Sequence, residues 1–514
     1  MQKKLTYKEI IEIAVKYETV HPVDEYQFFD WNVWPLIRTD TILSALLAPR
    51  FQQQPTIKNF LKRSQLLKYA VQTFKSRLKV HERVKLWKLD PEHNDNHLAT
   101  DRDVVFLTLS QRRISFDQGL YEIYTDPLVE ILNKLEVSTL VWEAGEERTP
   151  RYHPSAWVSR LIQKELKIAP ELPSLPEPAW YVDFAPFAAT IRGLQVPWTE
   201  VANRILYVQK LSIIYERWLK HVNPRLLIIV CWYGLEEMAA TLAARRLGIK
   251  SADLQHGIQG ECHHAYSGWS KIPRTRYELV PDIFLNWGIN QAQELLELNP
   301  SLAQHTKALT IGNLWLNKCR YSDCNFMYND QSILHELVAT HTKTILVTLQ
   351  HGDESSDFII NALRQSPDDW LWLLRFHPNT PQLERVHVEN KLRSLSCHNY
   401  EFKVSSRMAV YALMRICNVH VTGYSTTALE ALAFGLPTVL VTPTGSSIYN
   451  DLIAKCTMFY AQNIEELFQI LARCEDVSAQ QCEKSAQGYF ASRDVAMEGI
   501  RRLLSITGID YVDN

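Results

Sequence analysis

Short apolar runs alternate with helical patterns over most of this chain, beginning near residue 103. The first series consists of DVVFLTL (103–109), VSTLVW (137–142), RLLIIVCW (225–232), SADLQ (251–255), PDIFLNWG (281–288) and ALTIGN (308–313). A continuous apolar run such as that at 225–232 is expected of a strand that is covered on both faces. Alternation of strand and helix over this length predicts parallel βαβ units.

A second series of the same kind begins near residue 344. Its predicted strands are 344–350, 370–376, 418–423 and 437–442, and its predicted helices are 356–365, 405–416 and 426–435. The stretch 314–343 between the two series has little periodicity, so we expect it to be an interdomain linker. A helical pattern from about 484 to 506 is predicted to fold back onto the first domain.

These patterns predict an α/β protein with two Rossmann-like parallel-sheet domains that face a cleft. The expected units are a helical N-terminal region (1–100), a first domain (101–320), a second domain (321–483) and a returning C-terminal helix (484–514). Ligands of open α/β sheets bind beyond the carboxyl ends of the strands. Polar motifs at those strand ends are therefore candidates for a binding site.

Bulk properties exclude several classes of protein. The formal net charge is -2, which gives no basic excess that would favour nucleic acid. The nine cysteines form no CxxC pair, which argues against a zinc ribbon or a disulfide scaffold and predicts a reducing, cytoplasmic compartment. We find no apolar signal core at the N-terminus and no run of the ~20 apolar residues that would span a bilayer.

The most specific motif joins a strand to a helix in the second series. Gly423 ends an apolar run, Ser425, Thr426 and Thr427 follow it, and a helical pattern begins. Ser425 is predicted to be the N-cap, and the free N–H groups of a helix start attract an anion such as a phosphate. Glu430 lies one turn further on, where its carboxylate could bind ribose hydroxyls. Simple helix capping is the alternative interpretation.

Another motif, Arg375-Phe376-His377-Pro378, ends the predicted strand 370–376. Proline favours an extended residue before it, so the strand should end here. A histidine and an arginine at the carboxyl end of a strand suit a phosphate or a leaving-group oxygen.

A third motif is Gln255-His256-Gly257, which follows a predicted strand of the first domain. Glycine permits a tight turn that exposes the histidine. We expect these three residues and Tyr266 to line the acceptor side of the cleft. A second Gln-His-Gly, with His351 at its centre, ends the first strand of the second domain. Both histidines could instead be ordinary loop residues.

The catalytic base is harder to identify from the sequence. The carboxylates near strand or helix ends of the first domain are Asp117, Asp126, Glu143, Glu146, Glu236 and Glu237. Of these we selected Glu146 as the candidate. The histidines lack the spacing of an HExxH-like metal motif, so we expect no metal site.

The His-Pro, Ser-Thr and Gln-His-Gly motifs resemble those of bacterial GT-B glycosyltransferases of capsule and lipopolysaccharide synthesis. These include sialyltransferases and Kdo transferases that use CMP-sugars. In such families a His-Pro motif and a downstream Ser-Ser or Ser-Thr motif bind the CMP portion, and His377-Pro378 and Ser425-Thr426 match them. The motif at 255–257 is similar to one in capsule-synthesis relatives. The resemblance covers approximately residues 220–445, and residues 1–100 have no counterpart.

The resemblance implies transfer of Kdo or sialic acid from a CMP donor onto a nascent bacterial surface glycan. The donor would bind the second domain and the glycan or glycolipid acceptor the first. We expect the catalytic residues to be His256, His377 and Glu146. Since CMP leaves with one phosphate, no metal is required, and the nucleotide sugar is a substrate rather than a cofactor.

Two departures from the family pattern leave alternatives open. The second motif is Ser-Thr-Thr rather than Ser-Ser, and Glu143-Ala144-Gly145-Glu146 is not a clean match to the family's acidic motif. The alternatives are a CDP-polyol-phosphate transferase, a UDP-sugar GT-B transferase, a nucleotide-sugar epimerase that needs no acceptor, and a non-catalytic binding protein.

A basic segment in the N-terminal region suggests a membrane contact. Residues 58–88 contain ten Lys or Arg and a single acid, Glu82. Read as a helix, the segment places apolar side chains on one narrow stripe flanked by the basic residues, as in helices that lie on anionic membranes. We expect peripheral contact with the inner face of the membrane, with a core-packed helix as the alternative.

Overall fold

The computed structural model describes residues 5–47, 100–116, 119–169, 171–261, 263–321, 331–350, 355–377 and 380–513. Within these residues the chain folds around two parallel sheets. The prediction of two parallel-sheet α/β domains with a helical N-terminal region is confirmed.

The N-terminal region contains helices α1 (Tyr7–Val20) and α2 (Trp34–Leu47), with a small antiparallel pair, β1 (Gln27–Phe28) and β2 (Trp31–Asn32), between them. Thr6 and Glu9 form a capping box that begins α1. The inward side chains of both helices share one apolar cluster with the first sheet. This region is therefore part of the core of the first domain.

Seven parallel strands form the first sheet, in the order β11-β10-β9-β8-β3-β6-β7. They are β3 (Val104–Leu109), β6 (Thr139–Ala144), β7 (Ala156–Trp157), β8 (Leu226–Val230), β9 (Lys250–Leu254), β10 (Ile283–Asn286) and β11 (Lys307–Thr310). An antiparallel hairpin, β4 (Arg113–Phe116) and β5 (Gly119–Glu122), follows β3 directly. The sequence patterns predicted six of the seven strands of the first sheet, all but β7. They did not predict the hairpin.

Helices cover both faces of the first sheet, which is why its strands are apolar throughout. The helices between its strands are α3 (Thr125–Lys134), α4 (Ser159–Ile168), α5 (Tyr181–Arg192), α6 (Trp198–Val222), α7 (Leu235–Arg246), α8 (Ile289–Glu297) and α9 (Pro300–Ala303). On one face α5, α6 and α7 pack with the N-terminal helices. The other face is covered by α3 and by the C-terminal helix.

Six parallel strands form the second sheet, in the order β14-β13-β12-β15-β16-β17. They are β12 (Lys343–Leu349), β13 (Trp370–Phe376), β14 (Tyr400–Glu401), β15 (Val419–Thr422), β16 (Thr438–Leu440) and β17 (Met458–Tyr460). Apolar clusters lie on both faces of this sheet as well. One of these clusters includes Phe116, Tyr121 and Trp287 of the first domain, so the two domains share packed surface.

The stretch 314–343, which we expected to be an interdomain linker of little periodicity, contains helices in its described part. The described part of this stretch forms α10 (Leu314–Tyr321) and α11 (Gln331–Ala339), and β12 begins at Lys343. Trp315, Leu316 and Cys319 of α10 are buried in the cluster that joins the domains. Residues three and four positions apart lie on the same face of a helix. The helix has only eight residues, so this pattern is too short to recognise in the sequence.

The remaining helices connect and cover the second sheet, except the last of them, which packs on the first sheet. They are α12 (Ser355–Leu363), α13 (Gln382–Arg393), α14 (Val410–Met414), α15 (Thr427–Ala433), α16 (Pro443–Ile448), α17 (Asn450–Ala454), α18 (Ile464–Arg473), α19 (Ala479–Ala486) and α20 (Arg493–Thr507). The helix predicted over 405–416 is confined to α14. The carboxylate of Glu401 accepts hydrogen bonds from the backbone N–H groups of Lys403, Val404 and Ser405, which holds a turn before α14.

The C-terminal pattern at 484–506 is two helices rather than one. The chain leaves α19 at Gln487, passes Gly488 with a φ of 91°, and begins α20 after Ser492. Helix α20 packs on the first sheet, where Ile500 and Leu504 share an apolar cluster with strand residues. At Gly499 a Cβ would lie 1.9 Å from the carbonyl oxygen of Thr310, so only glycine permits this approach.

Across the described ranges, no helix is both long and apolar enough to cross a membrane. The basic segment 58–88 lies outside the described residues, so its proposed membrane contact stays a prediction.

Candidate functional site

Loops at the carboxyl ends of the two sheets face each other across the domain boundary. Gly257 follows β9 and Thr426 precedes α15, and a Cβ at Gly257 would lie 3.7 Å from the hydroxyl oxygen of Thr426. The loops that carry the Gln-His-Gly and Ser-Thr-Thr motifs are therefore in contact range. This is where ligands of open α/β sheets bind.

The Ser-Thr-Thr loop is held from several directions. The backbone N–H of Tyr424 donates to Gln350 Oε1 at 2.9 Å, and the Tyr449 hydroxyl donates to the Ser425 carbonyl oxygen at 2.8 Å. Gly423 lies close beneath Gly445, where a Cβ would lie 2.0 Å from the Gly423 carbonyl oxygen. The backbone of this loop is thus fixed before any ligand binds.

The predicted N-cap role of Ser425 needs correction. Helix α15 begins at Thr427, and its N-cap residue is Thr426, which has helical dihedral angles and a side chain without a capping hydrogen bond. The Ser425 hydroxyl accepts a hydrogen bond of 3.3 Å from the backbone N–H of Thr427. Ser425, one residue before the N-cap, therefore accepts a hydrogen bond from the first residue of the helix.

A buried polar cluster lies beneath this helix start. The Thr348 hydroxyl lies 3.0 Å from the Thr427 hydroxyl, 3.0 Å from that of Thr422, and 2.9 Å from His420 Nε2. His420 Nδ1 lies 3.2 Å from the Thr438 hydroxyl. Burial lowers the pKa of His420 to about 3, so the ring is neutral. A neutral hub of this kind fixes Thr427 without adding charge.

Glu430 lies one turn into α15 and is partly buried. Burial raises the pKa of its carboxyl to about 7, although a hydrogen bond from Tyr411 and the charge of Arg375 oppose the rise. The guanidinium of Arg375 donates from Nε to the Met408 carbonyl oxygen at 3.2 Å. Arg375 and Glu430, both predicted to belong to the site, are near enough for the charge of Arg375 to act on the Glu430 carboxyl. Glu430 lies on the helix that follows the Ser-Thr-Thr loop.

His377 lies exposed at the end of β13. Its backbone N–H donates to the Leu349 carbonyl oxygen at 3.1 Å, and its own carbonyl oxygen accepts from Thr380 N at 2.9 Å. These bonds hold the residue at the strand end while its ring is exposed. Pro378 and His351, which we also predicted to belong to the site, lie outside the described residues.

Gln255 supports the loop rather than lining the cleft, because its side chain is fully buried. Its Oε1 accepts from the backbone N–H of Trp287 at 2.6 Å, and its Nε2 donates to the Gly257 carbonyl oxygen at 2.9 Å. The Tyr124 hydroxyl adds a 3.0 Å hydrogen bond to the His256 carbonyl oxygen. The turn at His256 is thereby braced from both sides.

His256, Tyr233 and His263 form a connected row beyond β8 and β9. The Tyr233 hydroxyl lies 3.3 Å from His256 Nε2 and 3.5 Å from His263 Nε2. The backbone N–H of Ala265 donates to His263 Nδ1 at 3.2 Å, so the proton of this ring is on Nε2 and points at Tyr233. Tyr233 can then donate to His256 Nε2, which leaves the proton of His256 on Nδ1.

Burial lowers the pKa of His256, His263 and His264, the value for His263 being about 3. The charge of Arg112 lowers the pKa of His256 further. All three rings are therefore neutral at pH 7 and act through hydrogen bonds rather than charge.

Tyr266, which we predicted to line the cleft, is buried behind this row. Its hydroxyl donates to Asp253 Oδ2 at 2.7 Å, and Asp253 Oδ1 accepts from the backbone N–H of Trp232 at 3.0 Å. Tyr266 is too deep to contact an acceptor. It instead orients the carboxylate that holds the turn carrying Tyr233.

Cys231 has a φ of 73°, an unusual conformation for a residue with a side chain. Burial raises the pKa of its thiol to about 12, so a reactive thiolate is not present at neutral pH. The turn after β8 therefore has strained backbone but no nucleophilic cysteine.

Sequence analysis missed Arg112, which ends a short 3-10 turn directly after β3. Its guanidinium donates weakly to the Thr108 hydroxyl and to the Val230 carbonyl oxygen, both at 3.4 Å. The position of the Arg-Arg pair immediately beyond the first predicted strand was the available signal. This Arg-Arg pair has no motif-like spacing, so the sequence alone does not indicate a site there.

The carboxylates considered as bases have different environments. Glu146, our candidate, is exposed beyond β6, and within the described residues we find no contact between it and the loops above. Glu143 is buried and paired with Arg113 Nε at 2.8 Å, so it is committed to structure. Burial raises the pKa of Asp126 to about 7. Asp117 lies outside the described residues.

In the described part of the chain, no group of three or more His, Cys, Asp or Glu side chains has a geometry suited to a metal ion. The described part of the site brings together the guanidinium groups of Arg112 and Arg375, the carboxyl of Glu430, neutral imidazoles, hydroxyls and backbone N–H groups. Such a set can bind an anion and stabilise charge that develops on a leaving group.

Comparison with known proteins supports the fold. No family model and no curated sequence matches the chain. A structure of S. aureus MnaA with UDP aligns with a TM-score of 0.51 at 14% identity, over 80% of this chain and 98% of that chain. UDP-GlcNAc 2-epimerase from Neisseria meningitidis aligns with a TM-score of 0.47 at 12% identity, over 78% and 99%.

Trehalose 6-phosphate synthase from Burkholderia multivorans aligns with a TM-score of 0.44 at 11% identity, over 79% of this chain and 96% of that chain. At these sequence identities the similarity concerns the fold alone. The comparison with the S. aureus structure, which has the TM-score of 0.51, supports that fold. The fold is GT-B-like, with two parallel-sheet domains whose carboxyl-end loops face each other.

Proposed function

We propose that this chain is a glycosyltransferase that transfers a sugar from a nucleotide donor. The observation that carries the proposal is the approach of Gly257 to Thr426, which places the first domain's histidine row against the second domain's Ser-Thr-Thr loop. Donor binding on one side and acceptor binding on the other would bring the two substrates together.

In this proposal the second domain binds the nucleotide. The N–H groups at the start of α15, with Arg375 and His377, would receive the phosphate, and Glu430 would bind ribose hydroxyls. A fixed loop with preorganised donors stabilises the departing nucleotide without reorganisation. A cation and backbone N–H groups suffice for one phosphate, so we propose that no metal or cofactor is needed.

The first domain would hold a glycan or glycolipid acceptor. His256 lies in the facing loop and is proposed to act in the transfer step. Glu146 is the proposed base that would take the proton of the acceptor hydroxyl in an inverting reaction. Its exposure is compatible with this role, and Glu146→Gln should lower turnover without changing nucleotide affinity.

For the donor we propose a CMP-sugar such as Kdo or sialic acid, transferred to a bacterial surface glycan. This choice rests on the resemblance of His377-Pro378 and Ser425-Thr426 to CMP-binding motifs. The S. aureus protein was solved with UDP, which keeps a UDP-sugar donor as the nearest alternative. A CDP-polyol-phosphate donor would use the same anion-binding groups.

Epimerisation is the principal rival, since proteins of that activity share this architecture. An epimerase needs no acceptor. The test incubates the purified chain with CMP-, UDP- and CDP-linked donors, with and without membrane glycolipid, and identifies products by mass spectrometry. A transferase releases nucleotide and a glycosylated acceptor. An isomeric nucleotide sugar formed without acceptor would contradict the proposal, and binding without turnover would indicate a non-catalytic protein.

A further inference from the structure

Two adjacent arginines after β3 have opposite environments. Arg113 is buried and pairs with Glu143 through Nε and Nη2, at 2.8 and 3.0 Å. Arg112 is only partly buried, and its two hydrogen bonds of 3.4 Å are at the weak end of the range. Among the residues that the structure describes, no carboxylate forms an ion pair with Arg112 within 4.0 Å. Most of its donor capacity is therefore uncommitted.

His256 offers a second uncommitted donor. Its Nδ1 is buried and has no hydrogen-bond partner in the described part of the chain. Because Nε2 is engaged by Tyr233, the Nδ1 atom carries the ring proton in the arrangement described above. A buried N–H without an acceptor costs free energy unless a ligand or water fills the position.

The two donors lie beyond the ends of two strands of the first sheet that are separated by a single strand. In the first sheet β8 lies between β3 and β9, and adjacent strands are about 4.8 Å apart. The Arg112 guanidinium reaches the last residue of β8, Val230, while His256 lies two residues beyond the end of β9. Since Gly257 faces Thr426, both donors adjoin the proposed transfer site.

A counter-ion role for Arg112 explains this geometry less well. The nearest carboxylate along its hydrogen bonds is that of Glu122, which is linked to Arg112 through the Thr108 hydroxyl. Burial raises the pKa of Glu122, and the charge of Arg112 opposes that rise. Glu122 also accepts from Thr125 Oγ1 at 2.7 Å and from the backbone N–H of Tyr124 at 2.9 Å. Its oxygens are thus occupied by neutral donors, and the guanidinium is not bound to them.

We propose that Arg112 and His256 form an oxyanion subsite on the first domain, which binds a phosphate or carboxylate group of the substrate. The inference rests on the proposed function for what that substrate is. The planar fork of arginine binds two oxygens of such a group at once, which a lysine cannot reproduce. The neutral imidazole adds one directed hydrogen bond.

The test is calorimetric titration of the wild type, Arg112→Gln, Arg112→Lys and His256→Phe. The probes are inorganic phosphate, CMP, UDP, uridine and N-acetylneuraminic acid. Arg364→Gln is the matched control, because Arg364 is exposed on α12's C-terminal side in the second domain. We expect Arg112→Gln to weaken at least one anionic probe by about tenfold or more and to leave uridine unchanged. Arg112→Lys should recover only part of that loss.

The probes separate the two sources of the anion. Loss confined to CMP, UDP and phosphate assigns the subsite to the donor, and loss confined to N-acetylneuraminic acid assigns it to an acidic acceptor or sugar. If the wild type binds nucleotides and Arg112→Gln leaves every anionic probe unchanged, the subsite is overturned while the proposed function stands. Arg112-dependent binding of the sugar acid without any nucleotide binding would overturn the proposed function instead. If no anionic probe binds the wild type, both proposals fail.

Discussion

Arg38 and Glu18 form an ion pair in which neither side chain is exposed, with 2.8 Å between Arg38 Nε and Glu18 Oε1. Arg38 also donates to the carbonyl oxygens of His264 at 2.6 Å and Ser267 at 2.9 Å. Glu18 Oε2 accepts from the backbone N–H of Ser270 at 2.8 Å. The N-terminal helices thus hold the loop that carries the histidine row.

We predict that Arg38→Met destabilises the protein, because it leaves Glu18 buried without its partner. Removing one member of a buried pair costs about 3–5 kcal/mol. For domains of this size that corresponds to a fall in Tm of roughly 6–20 °C. Thermal unfolding measures it, with Arg393→Met as the control, since that arginine forms an exposed pair with Glu389. Equal small shifts in both variants would contradict the structural role of the buried pair.

His377→Ala is expected to abolish nucleotide-dependent activity without unfolding the protein. Because this residue is exposed at the end of β13, the Tm should stay within about 2 °C of the wild-type value, which corresponds to about 0.5 kcal/mol. Turnover is followed by nucleotide release. Near-normal turnover in this variant would place the donor site elsewhere.

Glu430 should give nucleotide binding a pH dependence. Its folded pKa, about 7, is above that of an unfolded carboxyl. The carboxyl is therefore protonated in the folded state at pH 5 and ionised at pH 8, and its stabilising contribution falls as the pH rises to about 7. Ribose hydroxyls donate to the ionised form, so nucleotide affinity should rise with pH through 7.

The variants Glu430→Gln and Glu430→Ala test this dependence by titrations between pH 5.5 and 8.5. Both should lack the Glu430-dependent rise, and Glu430→Ala should weaken binding at pH 8 by about 1.5–3 kcal/mol. A pH profile identical to that of the wild type would remove Glu430 from the donor site.

His256→Phe should lower turnover more than donor affinity, because His256 belongs to the first domain. Tyr233→Phe provides the comparison: it keeps the ring but removes the hydroxyl that lies 3.3 Å from His256 Nε2. We expect an intermediate loss of turnover in Tyr233→Phe with unchanged nucleotide affinity. A loss of affinity without loss of turnover in His256→Phe would reverse the assignment of the two domains.

Residues 58–88 carry the membrane prediction. Changing Lys68, Lys75 and Lys79 to Glu should reduce sedimentation with anionic liposomes, since each basic residue near the surface contributes about 1 kcal/mol. Neutral liposomes are the control. Equal pelleting of both proteins with anionic liposomes, or none of either, would favour a core-packed helix.

The repeated strand–helix pattern was sufficient to predict the two sheets, because strands covered on both faces are continuous apolar runs. The β4–β5 hairpin was not predicted because it contains the polar residues Arg113 and Glu122, which do not give an apolar pattern. Both are buried in the fold, where Arg113 pairs with Asp126 and Glu122 accepts a hydrogen bond from Thr108. Helix α10 was not predicted because its apolar side chains pack in a cluster with the second sheet, and this contact is not visible in the sequence.

The candidate site was partly predictable for similar reasons. Strand ends and glycines marked His256, Ser425 and Glu430, since these depend on local sequence. The contributions of Tyr233 and Arg112 depend on which strands are neighbours in the sheet, and a single sequence does not give that order.

The most direct test of the central claim is a thermal-shift and calorimetric screen of the wild type with CMP, CDP, UDP and GDP. A nucleotide supplied at 100 times its Kd should add about 2.7 kcal/mol of stability. The account predicts saturable binding of a pyrimidine nucleotide, weakened by Glu430→Ala and unchanged by Arg364→Gln. No stabilisation by any of the four nucleotides, or binding that Glu430→Ala leaves intact, would contradict it.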